Sequence, residues 1–300
     1  MTRARTHYFA WIRGMAWAIL LGCGMAGQAA AAAKDPPGSE HRDVLVQGHL
    51  MHFELSRGSN PDRVILLEAG ATLSSTEWTE VMRRLRSRTN ATIIAYDRAG
   101  MGRSAPLRTR YDVRQEVSRL HDALRQLGLA REMVLVGHSY GGFLIQLYAN
   151  LYPREVAGMV YVEAVTVSGL GGVAGATLFR NAISDAIRAG TNQFSDPRLA
   201  EGYVRTMKTL MRNPPPCGIP VAVITRGPRD MAITDPLLQR WRDGHAALAA
   251  TTGGTLIHAA RSGHVVPVDD PDLVADAILG VNDRAGRARA DPRKCALPNG

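Results

Sequence analysis

The sequence predicts an α/β fold, a mainly parallel sheet with helices on both faces, and three observations carry that prediction. From residue 64 onward, short apolar runs alternate with amphipathic helical stretches, the pattern of a parallel sheet covered on both sides. One run, Val134 to Val136, passes straight into Gly137-His138-Ser139-Tyr140-Gly141, a strand-to-helix turn with a serine at its tip. The chain has 300 residues, 45% of them apolar, which suffices for one large core.

The first 33 residues read as a secretory signal peptide. Arg3, Arg5 and Arg13 precede an apolar stretch from Gly14 to Ala26, and an alanine run ends at Ala33. The apolar stretch is short for a membrane span. Cleavage near Ala29 to Ala33 leaves a periplasmic or secreted protein. Leu20-Leu21-Gly22-Cys23 also resembles a bacterial lipobox, and lipidation of Cys23 is the one route to a membrane.

Residues 34–42 form a linker. Val44 to Gly48 and Leu50 to Leu55 alternate like a hairpin that opens the sheet. Strands follow at Val64 to Leu67, Ala91 to Tyr96, Val134 to Gly137 and Met159 to Val162. Helices begin near Thr76, near Arg114 and just past Ser139, the last with Phe143, Leu144, Leu147, Tyr148 and Leu151 on its apolar positions. After Glu163 the alternation stops for about 55 residues, far beyond an ordinary connection. Two helix-like stretches there, Leu178 to Ile187 and Leu199 to Met211, suggest a helical lid over Ser139, residues 166–219. The core then comprises 43–165 and 220–284. Its second part holds strands at Pro220 to Thr225 and from Thr255, and a helix from Pro271 to Leu279 that Asp270 caps. Residues 285–300 are a polar tail.

The chemistry starts at Ser139. Gly137 and Gly141 flank it because a side chain at either position would meet the backbone of so sharp a turn. A serine nucleophile needs a base, and the base an orienting acid, here expected in the order serine, acid, histidine. Of nine histidines, His264 lies just past a late strand and before the last helix, where the base belongs. His138 points away from the serine by strand alternation. Asp230, in the turn after the Pro220 strand, is the first choice of acid. Glu163, which ends the Met159 strand, is the alternative, and Asp235 the third; Asp235 could instead cap the helix that starts at Pro236.

These motifs resemble the α/β-hydrolase superfamily over residues 43–284. Four further stretches carry the likeness: Leu66-Leu67-Glu68-Ala69-Gly70-Ala71; Tyr96-Asp97-Arg98-Ala99-Gly100-Met101-Gly102-Arg103-Ser104; Gly227-Pro228-Arg229-Asp230; and Ser262-Gly263-His264 with Asp270-Pro271. His-Gly is usual in the family where this chain has Ala69-Gly70. The resemblance implies an α/β-hydrolase fold and oxyanion donors at the backbone amides of Ala71 and Tyr140. The expected activity is serine hydrolysis of small carboxylic esters. Amide, thioester or carbon–carbon hydrolysis, acyl transfer, and a non-catalytic binding protein on the same fold stay open, since one scaffold hosts many activities. Asp97 reads as structural, paired with Arg98 or bracing its turn.

Composition removes other classes. The net charge of +9, or +6 once Arg3, Arg5 and Arg13 are cleaved away, is spread, and only three of 36 basic residues are lysine. A solvated arginine-rich surface explains it without nucleic acid. Gly169 to Gly175 has the wrong spacing for a dinucleotide loop. His49, His52 and Glu54 do not share a hairpin face as metal ligands would. No cofactor or metal is expected. Of three cysteines, Cys217 and Cys295 survive processing and are expected to form a disulfide. Such a link would tie the tail to the body and contribute about 4 kcal/mol in the chain-entropy picture.

Overall fold

Strands β1 (Glu40–Val46) and β2 (His49–Ser56) pair as an antiparallel hairpin. Gln47 and Gly48 both take positive φ, the twist that a two-residue turn between right-twisted strands requires. The computed structural model describes residues 38–106, 110–172, 174–175, 177–178, 181, 202, 205–206, 208–228 and 235–285. Six more strands complete the sheet: β3 (Asn60–Glu68), β4 (Ala91–Tyr96), β5 (Met133–His138), β6 (Val156–Val162), β7 (Val221–Arg226) and β8 (Thr255–Ala259). Their order is β1-β2-β4-β3-β5-β6-β7-β8. From β4 to β8 every pairing is parallel, and only β2, antiparallel to both β1 and β4, runs the other way. This is the α/β-hydrolase fold that the sequence predicts.

The central strands are apolar on both sides because helices cover both faces. Alternation sorts their side chains. Leu66, Leu135, Met159 and Val223 face one core, with Val117, Leu120 and Leu124 of α2 (Val113–Gln126), Phe143 and Leu147 of α3 (Gly141–Leu151), and Trp241 and Leu248 of α4 (Asp235–Thr252). Ile65, Leu67, Val134, Val136, Val160 and Ile224 face the other, with Trp78, Val81 and Leu85 at α1 (Thr79–Arg86) and Val274, Ile278 and Val281 of α6 (Pro271–Arg284). A four-residue turn, α5 (Val266–Asp269), leads into α6. Asp112 caps α2 by accepting from Arg114 N and Gln115 N at 2.9 and 3.1 Å. Asp270 caps α6 as expected, accepting from Leu273 N at 3.2 Å.

Register brings the carboxyl ends of four strands together. Glu68 pairs with Gly137, His138 with Val162, and Val162 with Ile224. Most of the segment read as a lid, including residues 182–201, lies outside the described residues. Its carboxyl end is fastened to α3, where Gln146 Nε2 donates to Asn213 O and Asn150 Nδ2 to Pro214 O, both at 2.8 Å. Cys217 is buried and disulfide-bonded. Cys23 and Cys295, the signal segment and the tail lie outside the described residues.

Candidate active site

Ser139 sits at the tip of the turn between β5 and α3 with φ 51, a left-handed backbone rare for a residue with a side chain. Neighbouring backbone holds it there: Ser139 N donates to Val162 O at 3.1 Å, and Val165 N to Ser139 O at 3.0 Å. The flanking glycines are needed for space. A Cβ on Gly137 would come within 2.7 Å of the Gly141 carbonyl, and one on Gly141 within 2.5 Å of Glu68 O.

His264, 2% exposed, lies past β8 with Nε2 3.0 Å from Ser139 Oγ. The far ring nitrogen, Nδ1, faces Glu163 Oε1 at 3.6 Å. Glu163 follows β6 on the strand beside the serine, also with positive φ (47), and is fully buried. Several donors converge on its carboxylate. Trp241 Nε1 donates to Oε1 at 2.6 Å, Arg226 N donates to Oε2 at 2.9 Å, and Arg226 Nε stands 3.3 Å from Oε1. His245 Nδ1 is 3.7 Å from Oε2. Burial pushes the His245 imidazole below its ordinary range, with Glu163 pulling the other way. Its Nε2 meets Ala164 O at 2.8 Å. The neutral ring has a hydrogen to donate there, so Glu163 need not share its charge with a second imidazolium.

Asp230, the first choice of acid from the sequence, lies outside the described residues. The carboxylate beside His264 is the alternative, Glu163.

The sequence places His138 apart from the serine, and its ring does turn away, yet it takes part in the site. His138 Nδ1 pairs with Glu77 Oε1 at 2.5 Å, while Nε2 meets the backbone carbonyl of His264 at 2.8 Å. A backbone carbonyl only accepts, so Nε2 carries the hydrogen of that bond, while Nδ1 lies against the Glu77 carboxylate. Burial is the largest single influence on this imidazole and would lower its pKa; the charge and contact of Glu77, the His264 carbonyl and the Glu163 charge together outweigh it, and the net shift is upward. The other Glu77 oxygen accepts from Gly70 N at 2.9 Å. One buried pair thus joins the loop after β3 to the segment that carries His264.

Asp97 braces its own turn rather than pairing with Arg98. It accepts from Ser75 N at 2.7 Å and from Arg103 N at 2.8 Å. Arg98 turns inward to Glu68, Ala69 O and Gly70 O. Tyr140, the residue after the serine, donates its hydroxyl hydrogen to Tyr111 Oη at 2.7 Å and lies 3.2 Å from Thr206 Oγ1, which ties the elbow to the end of the inserted segment. A cavity of about 470 Å³ lies between α3, α4 and that segment, lined by Phe143, Tyr161, Val165, Leu210 and Leu248. Neither Ser139 nor His264 lines it.

A model of the alpha/beta hydrolase family matches residues 64–277. The chain belongs to that family. The matched span contains Ser139, Glu163, Asp230 and His264 together. The uncharacterised protein YqjL of Bacillus subtilis is 25% identical over 242 residues, covering 80% of this chain and 91% of YqjL. An esterase from Thermogutta terrifontis superposes with TM-score 0.57 at 19% identity, over 80% of this chain and 97% of its own. A hydrolase from Pseudomonas aeruginosa gives TM-score 0.59 at 16% identity, over 81% and 98%. At such identities the structural likeness speaks to fold alone. Glu77, Arg98, Arg226 and Trp241 had no role in the site from sequence. An alpha/beta hydrolase's motifs mark the reacting residues, whereas these four are identified only by what they touch.

Proposed function

We propose that this protein is an exported serine hydrolase of small carboxylic esters, with Ser139 as nucleophile, His264 as general base and Glu163 as the orienting acid. The observation that carries the reading is the chain of contacts Ser139 Oγ to His264 Nε2 (3.0 Å) and His264 Nδ1 to Glu163 Oε1 (3.6 Å). The second contact is longer than a hydrogen bond, as happens at sites without substrate, where such bonds tighten only as the reaction proceeds.

Ser139 Oγ attacks the acyl carbon while its proton passes to His264 Nε2. The imidazolium that forms is stabilised by Glu163, whose charge is fixed by Trp241 and Arg226. The carbonyl oxygen, now negative, takes hydrogen bonds from the Ala71 and Tyr140 amides. Collapse expels the alcohol, which leaves with the His264 proton. Water then repeats the sequence on the acyl-enzyme and releases the acid. Residues 166–219 form the lid over this site in the proposal. Residues 1–33 direct export, Cys217 pairs with Cys295, and Cys23 is discarded with the leader.

The test is turnover of p-nitrophenyl acetate, butyrate, octanoate and palmitate by protein starting near Lys34, beside Ser139→Ala. The expected outcome is a preference for one acyl length and a loss of at least about 10⁴-fold in Ser139→Ala. Turnover that survives Ser139→Ala would sink the proposal. So would wild-type protein inert to all four esters and to a fluorophosphonate.

A further inference from the structure

An oxyanion amide works only if its peptide plane is held before the charge develops. Ala69-Gly70-Ala71 carries no polar side chain; its own turn supplies one contact, Leu73 N donating to Gly70 O at 3.2 Å, and the others come from outside the loop. Arg98, 3% exposed and just past the end of β4, supplies the contacts. Its Nη1 donates to Ala69 O at 2.6 Å and also meets Glu68 Oε1, while its Nη2 donates to Gly70 O. Glu77 accepts from Gly70 N at 2.9 Å. The Ala69–Gly70 peptide is therefore gripped at both its oxygen and its N–H, and the Gly70–Ala71 peptide at its oxygen. No peptide is cis among the described residues, and in a trans peptide the oxygen and the N–H point to opposite sides. Holding Gly70 O on the Arg98 side turns the Ala71 N–H the other way.

We infer that Arg98 is a positioning residue for the oxyanion hole: its planar fork spans two successive loop carbonyls and aims the Ala71 amide at the reacting carbonyl. This rests on the triad reading above. Glu68, to which the Tyr96 hydroxyl also donates, is the countercharge that lets a guanidinium reside in a buried site. A guanidinium suits the task because its donors are set in one plane at fixed angles; an ammonium is a point donor that cannot span both oxygens in that way.

The experiment compares wild type, Arg98→Lys, Ser139→Ala and Val281→Ala on the best p-nitrophenyl ester. Val281 packs beneath the sheet against Gly158, so its truncation lowers Tm without touching the site. Each is measured for kcat, KM, Tm and inhibition by an alkyl trifluoromethyl ketone, which forms a tetrahedral oxyanion adduct with a serine. Arg98→Lys is expected to lose about 30- to 100-fold in kcat, less than the loss of a whole oxyanion donor. KM should stay within about threefold, and the ketone's Ki should rise by the same factor as the loss in kcat/KM. Val281→Ala should lose Tm and keep kcat.

Should Arg98→Lys not fold, the double variant Glu68→Ala/Arg98→Ala removes both charges and leaves neither buried alone; its kcat is expected to fall by at least about 30-fold with KM within about threefold. An Arg98→Lys enzyme with kcat and Ki near wild type overturns the inference while Ser139→Ala is dead and the triad stands. So does a joint change in kcat and KM that Val281→Ala reproduces, or a double variant as active as wild type. Activity surviving in Ser139→Ala would instead bring down the triad reading and this inference with it.

Discussion

Ser139 and Glu163 end adjacent parallel strands, and both adopt a backbone conformation that costs of order 1–3 kcal/mol in a non-glycine residue. The same local event, a strand ending in a left-handed residue, swings each side chain toward His264. The Glu163 amide donates to Ile224 O at 2.8 Å, so the turn is anchored on β7 and does not rely on the carboxylate for its shape. This makes the charge separable from the fold. Glu163→Gln keeps the volume and an acceptor for Trp241, yet cannot stabilise an imidazolium. The expected result is a fall of about 10³-fold or more in kcat/KM with KM little changed, set beside Asp230→Asn within about threefold of wild type. Steady-state kinetics of both variants on one ester decides between the two acids. A large loss in Asp230→Asn with Glu163→Gln intact would return the role to Asp230.

At the scale of elements, β3 and α3 approach so closely that one glycine sets their distance. A Cβ on Gly141 would stand 2.5 Å from Glu68 O and 2.8 Å from Ala69 O, both backbone atoms that no rotamer change can move. Gly141→Ala must therefore push the first turn of α3 away from the loop that Arg98 holds. A loss of roughly 1–3 kcal/mol is expected, typical of overpacking, and urea denaturation measures it. Activity should fall further than stability alone explains, because Tyr140 N and Ala71 N lie on the two elements being separated. Unchanged stability would mean the contact is looser than the structure has it.

Such elements were legible in the sequence. Val134 to Val136 is apolar on both sides because both faces of β5 are covered, and Gly137 and Gly141 are glycine because the elbow has no room. Asp270 caps α6 with the short polar side chain that a helix start calls for. The partner of His264 was harder to read. Carboxylates follow several strands, and choosing among them depends on which strand end neighbours which, a matter of sheet order rather than local pattern. Arg98 with Glu68, and His138 with Glu77, were illegible for the same reason. Strand alternation places His138 on the face away from the serine, but gives no distance to a glutamate 61 positions earlier in the chain.

Over the whole molecule, those two buried pairs make stability respond to pH in one direction. Burial is the largest influence on the Glu68 carboxyl and, against the pull of Arg98 and Tyr96, pushes its pKa from 4.5 up to about 7. The folded state thus binds this proton more tightly than the unfolded chain does. The stabilisation is fully present below about pH 4.5 and is lost as pH rises through about 7, a change of order 3 kcal/mol over that window. His138 acts in the same sense at higher pH, since its folded pKa is raised from 6.5 and its contribution fades as pH climbs past that value. Glu68→Gln removes the first titration and leaves the second. Whatever its fixed offset in Tm, its stability should fall less than that of wild type between pH 4.5 and 7, and the two curves should converge or cross by several degrees before running parallel above pH 8. Thermal melts of both proteins at half-unit pH steps read this directly. Parallel curves from pH 4.5 upward would mean that Glu68 stays ionised throughout, with Arg98 and Tyr96 fully offsetting its burial.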